Sequence, residues 1–340
     1  MTKILLRYLN LLVLTLLVVI VFSFTLGYLF PGDVYTNLTG LESKAEALRY
    51  LKVDSDAGFF SLFIAYFSNT LVGQWGVSSI TGEPLFSEVL LSLPATLELG
   101  FYALLLAVVV GLPCGFFAGL KPQRSLDMSI LGASAVMYSF PVFWLAMVFI
   151  LIFSLNLEWL PMSGRVDLLL NVPTVSGFIF VDILLADNID KGHAFVDALK
   201  HLALPTLSVS IITMATLIRA VRRSTLDVMR KPYIIAAQSR GLSSAQIFLK
   251  HGMRNALLPI LPIMAMQVTT LITNVMIVES LFSWPGMGHW LLQAIYQQDY
   301  PAIRTGLLAV AGAVIVLTII IEVLSRLVDP SREKFDRVAV

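Results

Sequence analysis

Charge is scarce in this 340-residue chain: Asp, Glu, Lys and Arg make up 13% of it, against about 25% in soluble domains. With 57% hydrophobic residues and a mean hydropathy of +0.84, that scarcity excludes an ordinary water-soluble domain. A net charge of +1 leaves no global field to attract nucleic acid. The one cysteine, Cys114, lies in an apolar run, so an intrachain disulfide is impossible and no Cys-based metal site is suggested. The four histidines (His193, His201, His251, His289) have no metal-ligand spacing, and no Gly-x-x-x-x-Gly-Lys phosphate loop occurs. The apolar runs carry neither the paired aspartates nor the Ser/His pair of an intramembrane protease. They also lack the acid/histidine chain of a proton relay and the Arg-rich pattern of a voltage sensor. No catalytic residue, cofactor or metal site is therefore expected. If the chain moves something uphill, another subunit must supply the energy, or sodium must couple through backbone carbonyls.

Long apolar runs are what the chain has in quantity. About 20 consecutive apolar residues make a spanning helix, because lipid offers no partner to a free backbone group. On that rule six spans are expected, at about 8–30, 96–119, 129–154, 202–221, 260–281 and 305–326, in one transmembrane domain covering 1–340. The first run follows Lys3 and Arg7 as a signal peptide would, but it is too long for that and is read as a retained span. The stretch FFSLFIAYFSNTL (59–71) is apolar but short, and reads as an interfacial helix. With both termini cytoplasmic, sixteen of the 23 basic residues fall on the inner side, among them Arg326, Arg332, Lys334 and Arg337, as the positive-inside rule requires. Acids such as Asp33, Asp54, Asp56, Glu83 and Asp187 then gather in two long outer loops.

Within the spans, Gly111, Gly115 and Gly119 recur every four residues and open a groove for close helix packing. Pro113, and Pro141 in YSFPVFW, predict bends. Glu98, Glu279 and Glu322 are the acids at membrane depth, each near an interface. Glu279, Pro141 and Trp144 are candidate pathway residues.

The segment between the fourth and fifth spans, 222–259, interrupts this pattern. Pro232 suits the first turn of a helix, YIIAAQSR continues it, and Gly241 supplies a left-handed stop. Ser243 and Gln246 then form a capping box that starts another helix. Ile247 and Phe248 are expected to face outward, toward a cytoplasmic partner. The residues alone leave open a second reading, a basic surface helix lying on lipid headgroups.

AAQSRGLSSAQIFLKHGMRNALLP resembles the EAA loop of ATP-binding-cassette importer permeases, in its peptide-permease version. WLPMSGR (159–165) and VESLFSWPGMGHWLLQAIYQQDYPAI (278–303) are similar to stretches of B-type dipeptide and oligopeptide permeases; GVSSITGEP and QQDYPAI look most like the Sap type. The resemblance implies an all-α, type I importer permease fold. It also implies a coupling helix that docks on an ATPase, with Ala236, Ala237 and Gly241 at its Ala-Ala-x-x-x-Gly core and His251, Arg254, Asn255 and Pro259 in its continuation. Ile235 stands where the motif has Glu. Implied partners are a homologous second permease, two ATPases and a periplasmic substrate-binding protein. The implied cargo is peptide, including cationic antimicrobial peptide, with a polyamine such as putrescine as an alternative. An ion-coupled carrier and an assembly protein are the competing classes.

Overall fold

The computed structural model describes residues 2–54 and 58–328; Asp56, Arg332, Lys334 and Arg337 lie outside them. Among the described residues the chain is helical, and its one β-feature is an isolated bridge between Val77 and Pro84. Helix α1 (Thr2–Leu29) is followed by the short helices α2 (Val34–Thr39), α3 (Lys44–Leu51) and α4 (Phe59–Leu71). Then come α5 (Leu85–Leu120), α6 (Ser125–Ser139), α7 (Val142–Phe149, continued by a π-helical stretch to Asn156) and α8 (Ile179–Leu185). The long α9 (Lys191–Met229) leads into α10 (Pro232–Ser239), α11 (Ser244–Ile247) and α12 (Met253–Leu257). Three helices complete the described residues: α13 (Leu261–Leu281), α14 (Met287–Tyr296) and α15 (Tyr300–Val328).

Among the described residues five helical stretches are long and apolar enough to cross a membrane, and α6 with α7 makes a sixth if the pair counts as one span. At 1.5 Å per residue, α5 with 36 residues and α9 with 39 run well past a hydrocarbon core of about 30 Å. Helix α5 continues unbroken through Pro113. The Pro141 site is more than a kink: α6 and α7 meet at 98°. Phe140, directly before the proline, is extended (φ −102°, ψ 138°), because the proline ring disfavours helical geometry in the preceding residue.

The chain divides into two compact units. One comprises the residues up to Glu98 with Ser163–Leu199 and Phe282–Leu317; the other holds Leu99–Met162, Lys200–Leu281 and the chain from Thr318.

In the first unit, α4 packs on α1 through Ile20, Phe24, Leu62 and Tyr66, with Leu38, Leu51 and Leu308 closing the cluster. Arg304 of α15 is buried beside it, donating to the Tyr66 hydroxyl (2.6 Å) and to the carbonyls of Leu38 (3.1 Å) and Trp75 (3.0 Å). Glu98 is buried too, and pairs with Arg165 of the WLPMSGR stretch. The same guanidinium donates to the Gly177 carbonyl and lies 5.3 Å from the Trp284 ring, whose indole N–H donates to the Ala95 carbonyl. Both buried guanidiniums thus satisfy backbone carbonyls that a helix end or irregular chain would otherwise leave unpaired.

In the second unit, the three glycines of α5 face α9. A Cβ on Gly115 would sit 2.6 Å from the Val221 Cβ, and one on Gly119 2.6 Å from the Thr225 Cβ. At Gly111 the nearest atom, the Leu217 Cβ, is 3.2 Å away. Ala107, Met214, Leu217, Ile218, Val221 and Ile260 form the core of this seam. Below it, Asp127 near the start of α6 accepts two bonds from Arg222 of α9, at 2.6 and 2.8 Å.

Candidate functional site

The interrupted segment is built from local signals. Lys231 leaves α9 extended (φ −72°, ψ 147°), and Pro232 opens α10 with a fixed φ and no N–H to satisfy. Gly241 turns the chain at φ +79° with open space where a Cβ would be, so its glycine requirement is purely conformational. The capping box forms: Ser243 N–H donates to Gln246 Oε1 (3.1 Å), and Gln246 N–H to Ser243 Oγ (3.4 Å). Helix α11 then passes through a π-helical turn, Phe248–Gly252, into α12.

One expectation is corrected here. Ile247 and Phe248 do not face outward; they are 0% and 6% exposed. Ile247 closes a small core with Ile234 and Ala237, and Phe248 meets Phe116 of α5 edge-on at 5.1 Å. A helix of four residues has too few hydrogen bonds to stand alone, so its largest apolar groups fasten it to the neighbouring helices. Ala237, 7% exposed, belongs to the same internal core.

The outward apolar surface is made by other residues. Leu249 is 64% exposed and Ile235 55%, with Ala236 exposed beside Ile235. Gly241, His251, Arg254 and Asn255 are exposed as well, and Asn255 donates to the Tyr233 hydroxyl (3.1 Å) and the His251 carbonyl (2.9 Å). Of the eight residues expected to face a partner, five lie at the surface and three hold the element together. Leu249 was missed because its side is set by the π turn, which rotates the chain beyond the α-helical period and leaves no trace in the residue pattern.

The three candidate pathway residues do not behave alike. Glu279 is fully buried, whereas Pro141 and Trp144 are exposed, the Trp144 ring stacked on Phe140 at 4.5 Å. Glu98 is taken up by Arg165, and Glu322 pairs with Arg326 one turn along α15 at 3.2 Å.

Residues 111–334, which include the glycine seam and the whole interrupted segment, match the family described as the binding-protein-dependent transport system inner membrane component. The chain belongs to this family. It is 37% identical over 329 residues to the di/tripeptide transport system permease protein DppB of Pseudomonas aeruginosa, covering 95% of this chain and 96% of that one. It is 38% identical over 278 residues to the peptide transport system permease protein SapB of Salmonella typhimurium, covering 82% and 87%. The SapB of Escherichia coli K12, 37% identical over the same length, is a putrescine export system permease protein. The chain is thus a multi-pass membrane permease of the peptide and dipeptide ABC importer type. Relatives of nearly equal identity carry different cargo names, so the likeness fixes the architecture and not the substrate.

Proposed function

We propose that this permease is one transmembrane half of an ATP-driven peptide importer in the bacterial inner membrane, with both termini cytoplasmic. The observation that carries the proposal is the outward apolar surface of Ile235, Ala236 and Leu249 on an element that buries Ile234, Ala237, Ile247 and Phe248. Exposed leucine and isoleucine beside a left-handed glycine corner suit the groove of a partner subunit. The positive-inside distribution of basic residues supports a cytoplasmic place for that surface. In this reading two ATPases grip the α10–α11 element of this chain and of a homologous second permease. ATP closes the ATPase pair, the docked element is carried with it, and the spans alternate access between the two faces. A periplasmic binding protein delivers peptide, cationic antimicrobial peptides among the candidates. Polyamine transport is the second reading, favoured by the putrescine-named relative.

The test is transport by the complete complex in proteoliposomes, with a labelled dipeptide, a cationic peptide and putrescine compared side by side. ATP-dependent accumulation of peptide, lost in Leu249→Asp and Gly241→Val, is expected. Normal uptake by both variants would remove the docking role. Accumulation by the permease pair without ATPases would make the protein an ion-coupled carrier instead.

A further inference from the structure

A cavity of about 470 Å³ opens where α9 ends and α13 begins, entirely within the second unit. Its lining is graded. Ala220 and Ile263, with buried Ile260 between them, make the end nearer the two spans. Lys231, Tyr233 and Asn255 make the end beyond α9 and α13, and Arg223 and Asp227 stand between, one turn apart on α9. Ser224 ties the two walls together, donating to the Ala256 carbonyl at 2.7 Å.

Arg223 and Lys231 are exposed and make no ion pair or side-chain hydrogen bond among the described residues. Two cations against one carboxylate leave the cavity a single positive charge. The Tyr233 oxygen accepts from Asn255, which leaves its own O–H free to donate outward. We infer that this cavity holds the phosphate of one membrane glycerophospholipid, its acyl end against Ala220 and Ile263 and its phosphodiester between Arg223, Lys231 and the Tyr233 hydroxyl. The order of groups along the cavity, apolar then cationic then polar, is the order of groups in such a lipid where the hydrocarbon meets the headgroup layer. One phosphodiester charge matches the net charge of the lining, whereas a polyphosphate would meet Asp227. The inference requires only that the chain sits in a membrane; it is independent of cargo and of ATP coupling.

The experiment uses the chain co-purified with its partner permease, equilibrated with phosphatidylglycerol in mixed micelles, with retained lipid counted by native mass spectrometry. The double variant Arg223→Gln/Lys231→Gln should retain less lipid by roughly tenfold or more. The charge-matched control Arg230→Gln/Lys250→Gln should retain it as the wild type does. Ile263→Trp, which fills the apolar end and leaves every charge in place, should also expel the lipid, and it decides the matter if the double variant fails to fold. Inorganic phosphate at equal concentration should not compete. Wild-type retention by the cavity variants, or an equal loss in the control, overturns the site. Displacement by inorganic phosphate makes it a free-anion site and overturns the lipid assignment.

Discussion

The hydroxyl of Ser78 donates a 2.5 Å hydrogen bond to the carboxylate of Asp299, 221 residues further along the chain. Asp299 is 2% exposed and accepts three more bonds, from the Ser79 hydroxyl (3.0 Å) and the backbone N–H groups of Ser79 (3.3 Å) and Ala302 (3.2 Å). These residues come from GVSSITGEP and QQDYPAI, the two stretches that carry the likeness to Sap-type permeases. What read as two separate marks of a subtype is one contact, a carboxylate that caps α15 and binds the turn before α5. Nearby, Glu88 of α5 accepts from the Trp290 indole of α14 at 2.9 Å, a second hydrogen bond between the start of α5 and the chain ahead of α15.

Asp299→Ala should therefore destabilise the first unit by about 2–4 kcal/mol, from a lost helix cap and two serine hydroxyls left without their acceptor. Asp299→Asn should recover only part of this, because its NH2 places a donor where a donor already points. Thermal melting in detergent, with limited proteolysis of the Ser78–Gly82 turn, measures both. Equal melting of wild type and Asp299→Ala would show that the contact carries no stability.

The glycine seam predicts a graded series. Alanine at Gly115 or Gly119 brings a Cβ to 2.6 Å from its α9 neighbour, with backbone carbonyls of Ile218 and Arg222 at 2.9 and 3.0 Å. Either substitution should cost about 1–3 kcal/mol as the helices are forced apart. Gly111→Ala, with 3.2 Å to its nearest atom, should cost less. Gly132 of α6 has nothing within 4 Å, so Gly132→Ala should be neutral or stabilise by up to about 1 kcal/mol through helix propensity. The order of melting temperatures is the check, and a flat series would mean that α5 and α9 have room to spare.

Much of this architecture was legible because its signals are local. Apolar run length marks spans, four-residue glycine spacing marks one helix face, and proline, glycine and the Ser/Gln box mark where α10 and α11 begin and end. What escaped reading depends on partners far away in sequence. Ile247 and Phe248 looked like docking groups because nothing nearby shows that Phe116, 132 residues earlier, waits to cover Phe248. The buried roles of Arg165 and Arg304 were equally hidden, since a basic residue in a loop or near a span end reads first as a topology signal. The 98° corner at Phe140–Pro141 exceeded the expected bend because a proline in sequence does not reveal how far its helix breaks.

The Asp127–Arg222 pair gives a test of geometry rather than charge. Arg222 reaches both carboxylate oxygens, and Asp127 also accepts from the Gln123 N–H at 2.8 Å, which holds the turn between α5 and α6. Arg222→Lys keeps the charge but loses the fork, and should fall most of the way toward Arg222→Ala. A double-mutant cycle with Asp127→Ala should give a coupling of about 1–3 kcal/mol, reduced from the fully buried range because Arg222 keeps 22% side-chain exposure. Additive losses across the cycle would show the two residues to be independent.

Leu249 and Ile247 lie two residues apart and should fail in opposite ways. Ile247→Asp puts a charge into the core formed with Ile234 and Ala237, so it should lower the melting temperature, and uptake with it. Ala237→Glu should do the same, since Ala237 faces inward. Leu249→Asp alters a side chain that is 64% exposed, so melting should stay within about 0.5 kcal/mol of wild type while ATP-dependent uptake is lost. Gly241→Asn should be tolerated better than Gly241→Val, because open space surrounds the site and only the positive φ selects against a branched side chain. Melting curves and uptake measured on the same preparations separate the two roles. If Leu249→Asp destabilises as much as Ile247→Asp, the outward surface belongs to the fold and the docking reading fails.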